Sequence, residues 1–503
     1  MATVQPHRVR PGRGIELGLL ALALAIGIAA YALVGIGVTG EVPADVVGYG
    51  IGMTVLGLGL HVVLRWRAPY ADPVIMPSVI ALNGIGLAMI YRLDLAEDTS
   101  FATRQLGWTA VSVVLAGAVI VLLRDHRTLR RYTYTAMIVG LVLVVLPLVP
   151  GLGAQINGAN IWIRLGPFSL QPAELAKIAL AIFFAGYLVT NRDTLALAGP
   201  KALGLQLPRI RDLGPIIIAW AASLAVLISE RDLGTSLLFF GLFVAMLYVA
   251  TERLSWVIIG LSMFVVGAGV AATTFPHVGA RFDVWLNALD NDIYNRFPGG
   301  SGQLVGGLFG LASGGLFGTG WGAGRPDLVP YAESDFIVAS LGEELGLTGV
   351  LAILLVYLVL AERGLRTAIG VRDGFGKLLA GGLAFVVAFQ CFVVVGGITR
   401  IIPLTGLTTP FLAYGGSSLL ANWIIVALLL RISDDARRPA GVVRGPQGGS
   451  PATPPQGSPG PIRVGGSAAA PTRPPRSARD TGAPGASDTR PTERIDEMRG
   501  DDA

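Results

Sequence analysis

Twelve apolar runs set what this 503-residue chain can fold into. They fall at about 15–36, 47–64, 74–92, 106–123, 133–150, 174–190, 214–229, 233–250, 254–274, 336–361, 378–398 and 412–431. Runs of roughly 20 apolar residues cross a bilayer as helices. Lipid offers backbone N–H and C=O groups no partner, so a helix has to satisfy them internally. Only 14% of the residues are charged and 52% are hydrophobic, against roughly 25% charged in soluble domains. The expected fold is an all-α polytopic membrane protein. Gly and Ala recur through the runs, which suits close helix packing in lipid.

Several function classes are excluded at once. The lone cysteine, Cys391, sits inside an apolar run, so neither a disulfide framework nor a cysteine metal cluster is expected. His7, His61, His126 and His277 are scattered without metal-ligand spacing. The Gly-rich stretch 299–324 lacks the GxxxxGK[ST] pattern and has no strand before it, so it does not read as a phosphate loop. Arg8, Arg10 and Arg13 precede a first run longer than a signal-peptide core, with no clear cleavage signal. That run is expected to stay as a first membrane helix after a short cytoplasmic segment, 1–14.

The arginines set an orientation. With the N-terminus in the cytoplasm, the inside loops hold Arg65 and Arg67, then Arg124, Arg127, Arg130 and Arg131, then Arg192, Lys201, Arg209 and Arg211. Arg253 follows, then Arg363, Arg366, Arg372 and Lys377, and finally Arg431, Arg437 and Arg438. The opposite loops are poorer in Lys and Arg, as the positive-inside rule requires. Both termini are expected in the cytoplasm. From 435 to 503 the chain turns Pro-, Gly-, Ser- and Arg-rich, which cannot bury a core and reads as a disordered tail.

Two outer loops are too long for simple connection, 151–173 and 275–335; loops beyond about 12–15 residues are usually functional or disordered. The second is apolar inside (QLVGGLFGLASGGLFG), and is expected to lie on the bilayer or dip into it. It ends at Asp335, where an apolar helix begins. Asp335 reads as an N-cap, as a general base at the lipid–water boundary, or as both. Glu174 and Lys177 share a helix face at spacing i, i+3. They form a self-neutralised pair, or Lys177 faces an anion with Glu174 setting its position. Asp232 opens another helix and reads as a cap, and Arg104 lies in an outer loop. All four loop ends fall at one membrane boundary. Cations there neutralise a diphosphate, and a carboxylate accepts a proton. Glu343 and Glu344, further along the same helix as Asp335, are expected to be protonated, paired or facing a wet interior.

Five segments carry a resemblance. They are NGANIWIRLGPFSLQPAELAK (157–177), ERDLGTSLLF (230–239), SGGLFGTGWGAG (313–324), LVPYAESDFIVASLGEELGLTG (328–349) and RIIPLTGLTTPFLAYGGSSLLAN (400–422). On these the chain resembles the SEDS proteins (shape, elongation, division and sporulation), and the RodA type more than the FtsW type. The resemblance covers about 72–434 and implies a ten-helix core, with 15–71 as two additional N-terminal membrane helices. It implies a peptidoglycan glycosyltransferase that polymerises lipid II on the outer face of the cytoplasmic membrane and releases undecaprenyl diphosphate. Asp335 matches the family's essential acid. Trp162, Glu174, Lys177, Asp232 and Arg104 match family positions expected at the substrate. The implied partners are a class B penicillin-binding protein and membrane lipids, with no nucleic acid, and by analogy a divalent cation (Mg or Mn) at the diphosphate. A lipid II flippase and a division-specific member of the family are the alternatives. The chain departs from the family pattern at Asn160–Ile161, at Gly306–Gly307 and in the local insertion NRFPGG (295–300).

Overall fold

The computed structural model describes residues 12–439, apart from 157–158, 167, 196–200, 203–204, 207–212 and 298. Residues 1–11 of the expected cytoplasmic start (1–14), the loop cations Arg209 and Arg211, and the expected tail from 440 onward lie outside the described residues.

The apolar runs become helices: α1 Arg13–Thr39, α2 Val46–Arg67, α3 Ile75–Glu97, α4 Phe101–Leu122, α5 Thr133–Val145, α6 Pro172–Leu195, α7 Gly214–Glu230, α8 Leu233–Thr251 and α9 Leu254–Thr274. After the shorter α10 Pro276–Leu286, α11 Asn291–Tyr294 and α12 Gly302–Gly314 come α13 Ile337–Gly370, α14 Gly374–Ile398 and α15 Gly416–Arg437. Among the described residues, eleven helical spans are long and apolar enough to cross a membrane, with α5 extended by 3-10 turns to His126–Leu148. α7, at 17 residues, is a shorter apolar helix.

The basic loops meet at one end of the bundle. Arg431 donates to the carbonyls of Arg67 (2.7 Å) and Arg124. Arg127 pairs with Asp373 at 3.2 Å and Asp435 at 2.9 Å. Lys377 and Arg192 share Glu252. The other end carries the two long loops.

Both loops carry secondary structure of their own. Residues 151–173 contain a three-stranded antiparallel sheet, β1 Gly153–Ile156, β2 Ala159–Leu165 and β3 Phe168–Leu170. Trp162 faces Ala154 in its register and Arg164 faces Ser169. The apolar part of the second loop forms α12, which packs along the start of α13. Glycines allow that approach: a Cβ at Gly314 would sit 2.0 Å from the Gly342 carbonyl oxygen. One face of the stretch packs on protein, while Phe309, Leu316 and Phe317 stay exposed.

α13 is broken at Gly346, where φ is 69° and ψ is −176°, a backbone open essentially to glycine alone. The following loop of α12 repairs the break. Thr319 and Gly320 N–H donate to the Glu343 and Glu344 carbonyls at 3.0 and 2.9 Å. Leu347 and Thr348 N–H donate to Gly315 and Leu316 carbonyls at 3.0 and 3.1 Å. Backbone groups released by the break are thus satisfied by protein.

α1 is fixed to the rest by close approach and buried polar groups. A Cβ on Gly27 would meet the Gly84 Cα of α3 at 3.0 Å. Arg13 pairs with Glu16 and donates to the Pro69 and Ala71 carbonyls. Glu16 also bonds His61 of α2 at 2.7 Å. Tyr31 stacks between Tyr49 and Tyr91, at 4.3 and 4.1 Å, and donates to Asp45 at 2.6 Å.

Candidate functional site

Asp335 closes an irregular segment that ends where α13 begins. Tyr331 sits at φ 58°, and its carbonyl receives the N–H groups of Ser334 and Phe336 at 3.1 and 3.2 Å. The N-cap of α13 is Phe336, with no side-chain cap bond. The capping role expected for Asp335 is therefore corrected: the turn at Tyr331 advances the helix start by one residue. The Asp335 carboxyl faces elsewhere.

It faces the irregular segment 399–415, which other elements hold by polar side chains. Gln105 of α4 donates to the Ala413 carbonyl at 3.0 Å and accepts from Gly415 N–H at 3.3 Å. Gln390 of α14 donates to the Thr408 carbonyl at 2.9 Å. Tyr414 N–H donates to the Glu333 carbonyl at 2.7 Å, tying the segment to the Asp335 turn. Arg281 of α10 donates to the Leu404 carbonyl at 2.7 Å, and Trp285 donates to the Arg400 carbonyl at 2.9 Å.

Gly406 is where two charges meet. A Cβ built on it would lie 3.7 Å from Asp335 Oδ2 and 3.8 Å from an Arg281 guanidinium nitrogen. Its φ of +79° also favours glycine. Asp232, the N-cap of α8, accepts from Thr235 N–H at 3.0 Å and Oγ1 at 2.5 Å. Its cap reading holds, and Arg281 acts electrostatically on it as well as on Asp335. Burial pushes the Asp335 carboxyl up to about 7, with Arg281 pulling it down and Asp232 and Glu333 raising it. Burial also raises Asp232, against its bonds to Thr235 and the pull of Arg281. Burial lowers Arg281, and the two carboxylates oppose that. Asp335 remains half-buried. A carboxyl that titrates near neutrality is suited to accept a proton at working pH.

The other expected residues stand apart from this trio. Lys177 is 1% exposed; its Nζ pairs with Glu174 at 2.5 Å and donates to Gln390 at 2.9 Å and Asn422 at 3.3 Å. Of the two readings of that pair, the geometry is that of self-neutralisation inside the bundle. Arg104 is exposed, and lies in the first turn of α4 rather than in a loop, its guanidinium 5.8 Å from the Phe101 ring. Trp162 is half-buried in the hairpin. Glu344 pairs with Arg92 of α3 at 2.8 Å; Glu343 accepts the Arg325 backbone N–H on Oε1 at 2.8 Å, and its Oε2 is buried without a hydrogen-bond partner, so of the three fates expected, pairing holds for Glu344.

Three-ligand geometry for a divalent cation does not form around Asp335 among the described residues. The one such group there, His126, Asp373 and Asp435, lies at the basic end and has Arg127 paired into it. The charge that faces Asp232 and Asp335 is the Arg281 guanidinium. Sequence reasoning missed Arg281. Its signal was weak: a cation four residues before Trp285 in PHVGARFDVWL, hence on the same helix face.

Comparison with known proteins supplies the family. Residues 74–438 match the profile of the FtsW/RodA/SpoVE family, described as cell cycle protein. The peptidoglycan glycosyltransferase RodA of Mycobacterium tuberculosis is 49% identical over 435 residues, covering 85% of this chain and 92% of the relative. Stage V sporulation protein E of Bacillus subtilis is 34% identical, covering 73% and 98%. Among solved structures, Thermus thermophilus RodA matches with TM-score 0.52 at 24% identity, over 75% of this chain and all of that one. A chain reported as "Structural coordination of polymerization and crosslinking by a peptidoglycan synthase complex" matches with TM-score 0.56 at 24% identity, over 73% and 99%. These structures share the fold of the bundle described above. The chain belongs to the FtsW/RodA/SpoVE family of multi-pass membrane proteins.

Proposed function

We propose that the protein is a peptidoglycan glycosyltransferase that polymerises lipid II during cell elongation, with Asp335 as its general base. The observation that carries this reading is the half-buried Asp335 carboxyl, raised to about 7 and set beside Arg281. The acceptor sugar's 4-hydroxyl gives its proton to Asp335 as its oxygen attacks the donor's anomeric carbon. The new C–O bond forms as the bond from that carbon to the diphosphate oxygen breaks, with inversion. The proton rests on Asp335, and undecaprenyl diphosphate leaves.

The cations assigned to the diphosphate are Arg281, at the base, and exposed Arg104 at the same end of the bundle. Asp232 holds Arg281 in place. Lys177 and Glu174 serve as an internal brace reaching segment 399–415 through Gln390, and Trp162 is assigned to the substrate's approach.

The basic end of the bundle is assigned to the cytoplasm by the positive-inside rule, with both termini there and Asp335 on the outer face. The core is assigned to 72–434, preceded by two additional helices. The assigned partner is a class B penicillin-binding protein, a transpeptidase that cross-links the strand. Kinship to proteins named RodA at 49% identity favours elongation over division.

The test is polymerisation of purified lipid II by the full chain with its partner. Asp335→Asn is expected to lose roughly 10²- to 10⁴-fold in rate, the usual share of a general base. Wild-type turnover by that variant ends the assignment of Asp335 as base.

A further inference from the structure

The family profile begins at residue 74, so α1 lies outside it. Yet the end of α1 rests on the loop that supports α13 at its break. A Cβ on Gly37 would lie 2.0 Å from the Trp321 carbonyl oxygen, and one on Gly322 would lie 2.8–2.9 Å from Gly37 backbone atoms. The obstacles are backbone, which cannot swing aside as a side chain can. Gly322 sits at φ +83°, so that turn has little freedom.

From this contact a short chain of bonds leads to the helix behind Asp335. Gly322 N–H donates to Glu344 Oε2 at 3.0 Å. Arg92 donates to Glu344 Oε1 at 2.8 Å and to the Gly324 carbonyl at 2.7 Å. Arg325 N–H donates to Glu343 at 2.8 Å. Four backbone bonds join loop 315–320 to α13 at its break. The segment of α13 before Gly346 is therefore held by this loop, and Asp335 immediately precedes it. α1 in turn is fixed at its far end by Arg13 and at its middle by Gly27.

We infer that Gly37 is a positioning residue for glycosyl transfer: α1 seats loop 315–325 against Glu343 and Glu344, and so sets the height of Asp335 over Arg281. This rests on Asp335 being the base. A side chain at residue 37 has to push the loop or the helix end away, and a misplacement of about 1 Å can cost on the order of 100-fold in rate.

The experiment uses the full chain with its partner and lipid II. Gly37→Val is compared with Gly18→Val, which sits on the same helix with nothing within 4 Å of its added Cβ. Gly37→Val is expected to raise amide exchange in 315–325 and 337–345. It is also expected to lower kcat by about 10- to 100-fold, leave KM within about twofold and move the pH midpoint of the rate. Gly18→Val is expected to match wild type in all four. Combining Gly37→Val with Glu344→Gln should give less than the product of the two losses in kcat, because both act through one loop. Where Gly37→Val does not fold, Gly37→Ala decides, since it adds a single methyl group.

Wild-type exchange and rate in the Gly37 variant overturn the inference. So does faster exchange with unchanged kcat, which leaves the base assignment standing. An active Asp335→Asn removes the base, while the exchange comparison still reads the contact between α1 and the loop.

Discussion

The Lys177 ammonium lies 2.5 Å from the Glu174 carboxylate, with the lysine only 1% exposed. A pair so enclosed is expected to act on stability before anything else. Lys177→Met leaves Glu174 buried and unpaired, which typically costs about 3–5 kcal/mol. Thermal unfolding in detergent is expected to show a large loss for this variant. Glu174→Gln combined with Lys177→Met should recover most of it. A stable, inactive single variant would return Lys177 to direct contact with substrate.

The rate of polymerisation should follow the ionisation of Asp335. The base form grows as pH rises through about 7, so kcat is expected to climb across that range in a pH–rate profile. Arg281→Gln removes the cation that lowers this carboxyl, and should move the midpoint upward. Stability runs the opposite way. The folded state holds this proton above the ordinary carboxyl range, so its contribution is full at low pH and is lost as pH rises toward 7. Asp335→Asn should therefore be more stable than wild type above pH 7, read from unfolding midpoints across a pH series.

Arg92 and Glu344 should behave as a unit. Glu344 is 1% exposed and holds both Arg92 and the Gly322 N–H. Arg92→Gln strands that carboxylate and is expected to destabilise by about 3–5 kcal/mol. The double change with Glu344→Gln is expected to be milder than Arg92→Gln alone, which a double-mutant cycle of unfolding free energies measures.

Arg104 should separate binding from folding. It is exposed at the start of α4, so Arg104→Ala should alter stability by no more than about 0.5 kcal/mol. Its expected effect is a higher KM for lipid II at unchanged kcat, the signature of lost uniform binding. The effect should shrink as salt rises. An unchanged KM at low salt would release Arg104 from the diphosphate.

Hydropathy made the helices legible, because length and apolarity alone decide whether a segment can span lipid. The apolar run read at 233–250 became Leu233–Thr251, and that at 378–398 became Gly374–Ile398. Asp335 was legible as a residue, but its surroundings were not. Arg281 reaches it through α10, an element whose single cation carries no periodic signal in the sequence. The hairpin around Trp162 was read as loop because its strands are short and glycine interrupts them. The break at Gly346 was hidden inside a run, 336–361, read as one helix. A glycine there reads as tolerated until the partner loop is seen filling the gap.

The pairing of Arg92 with Glu344 spans 252 residues, and this bears on how the protein is made. At roughly 5–20 residues per second of synthesis, α3 waits on the order of 13 to 50 seconds for its counter-ion to leave the ribosome. Through that interval a guanidinium near the end of a membrane segment is unmatched, a burden of roughly 2.5–3.5 kcal/mol if it sits deep and less as it reaches for the headgroups. The nascent helix is thus expected to sit further outward until the distant acid is made and pairs with it.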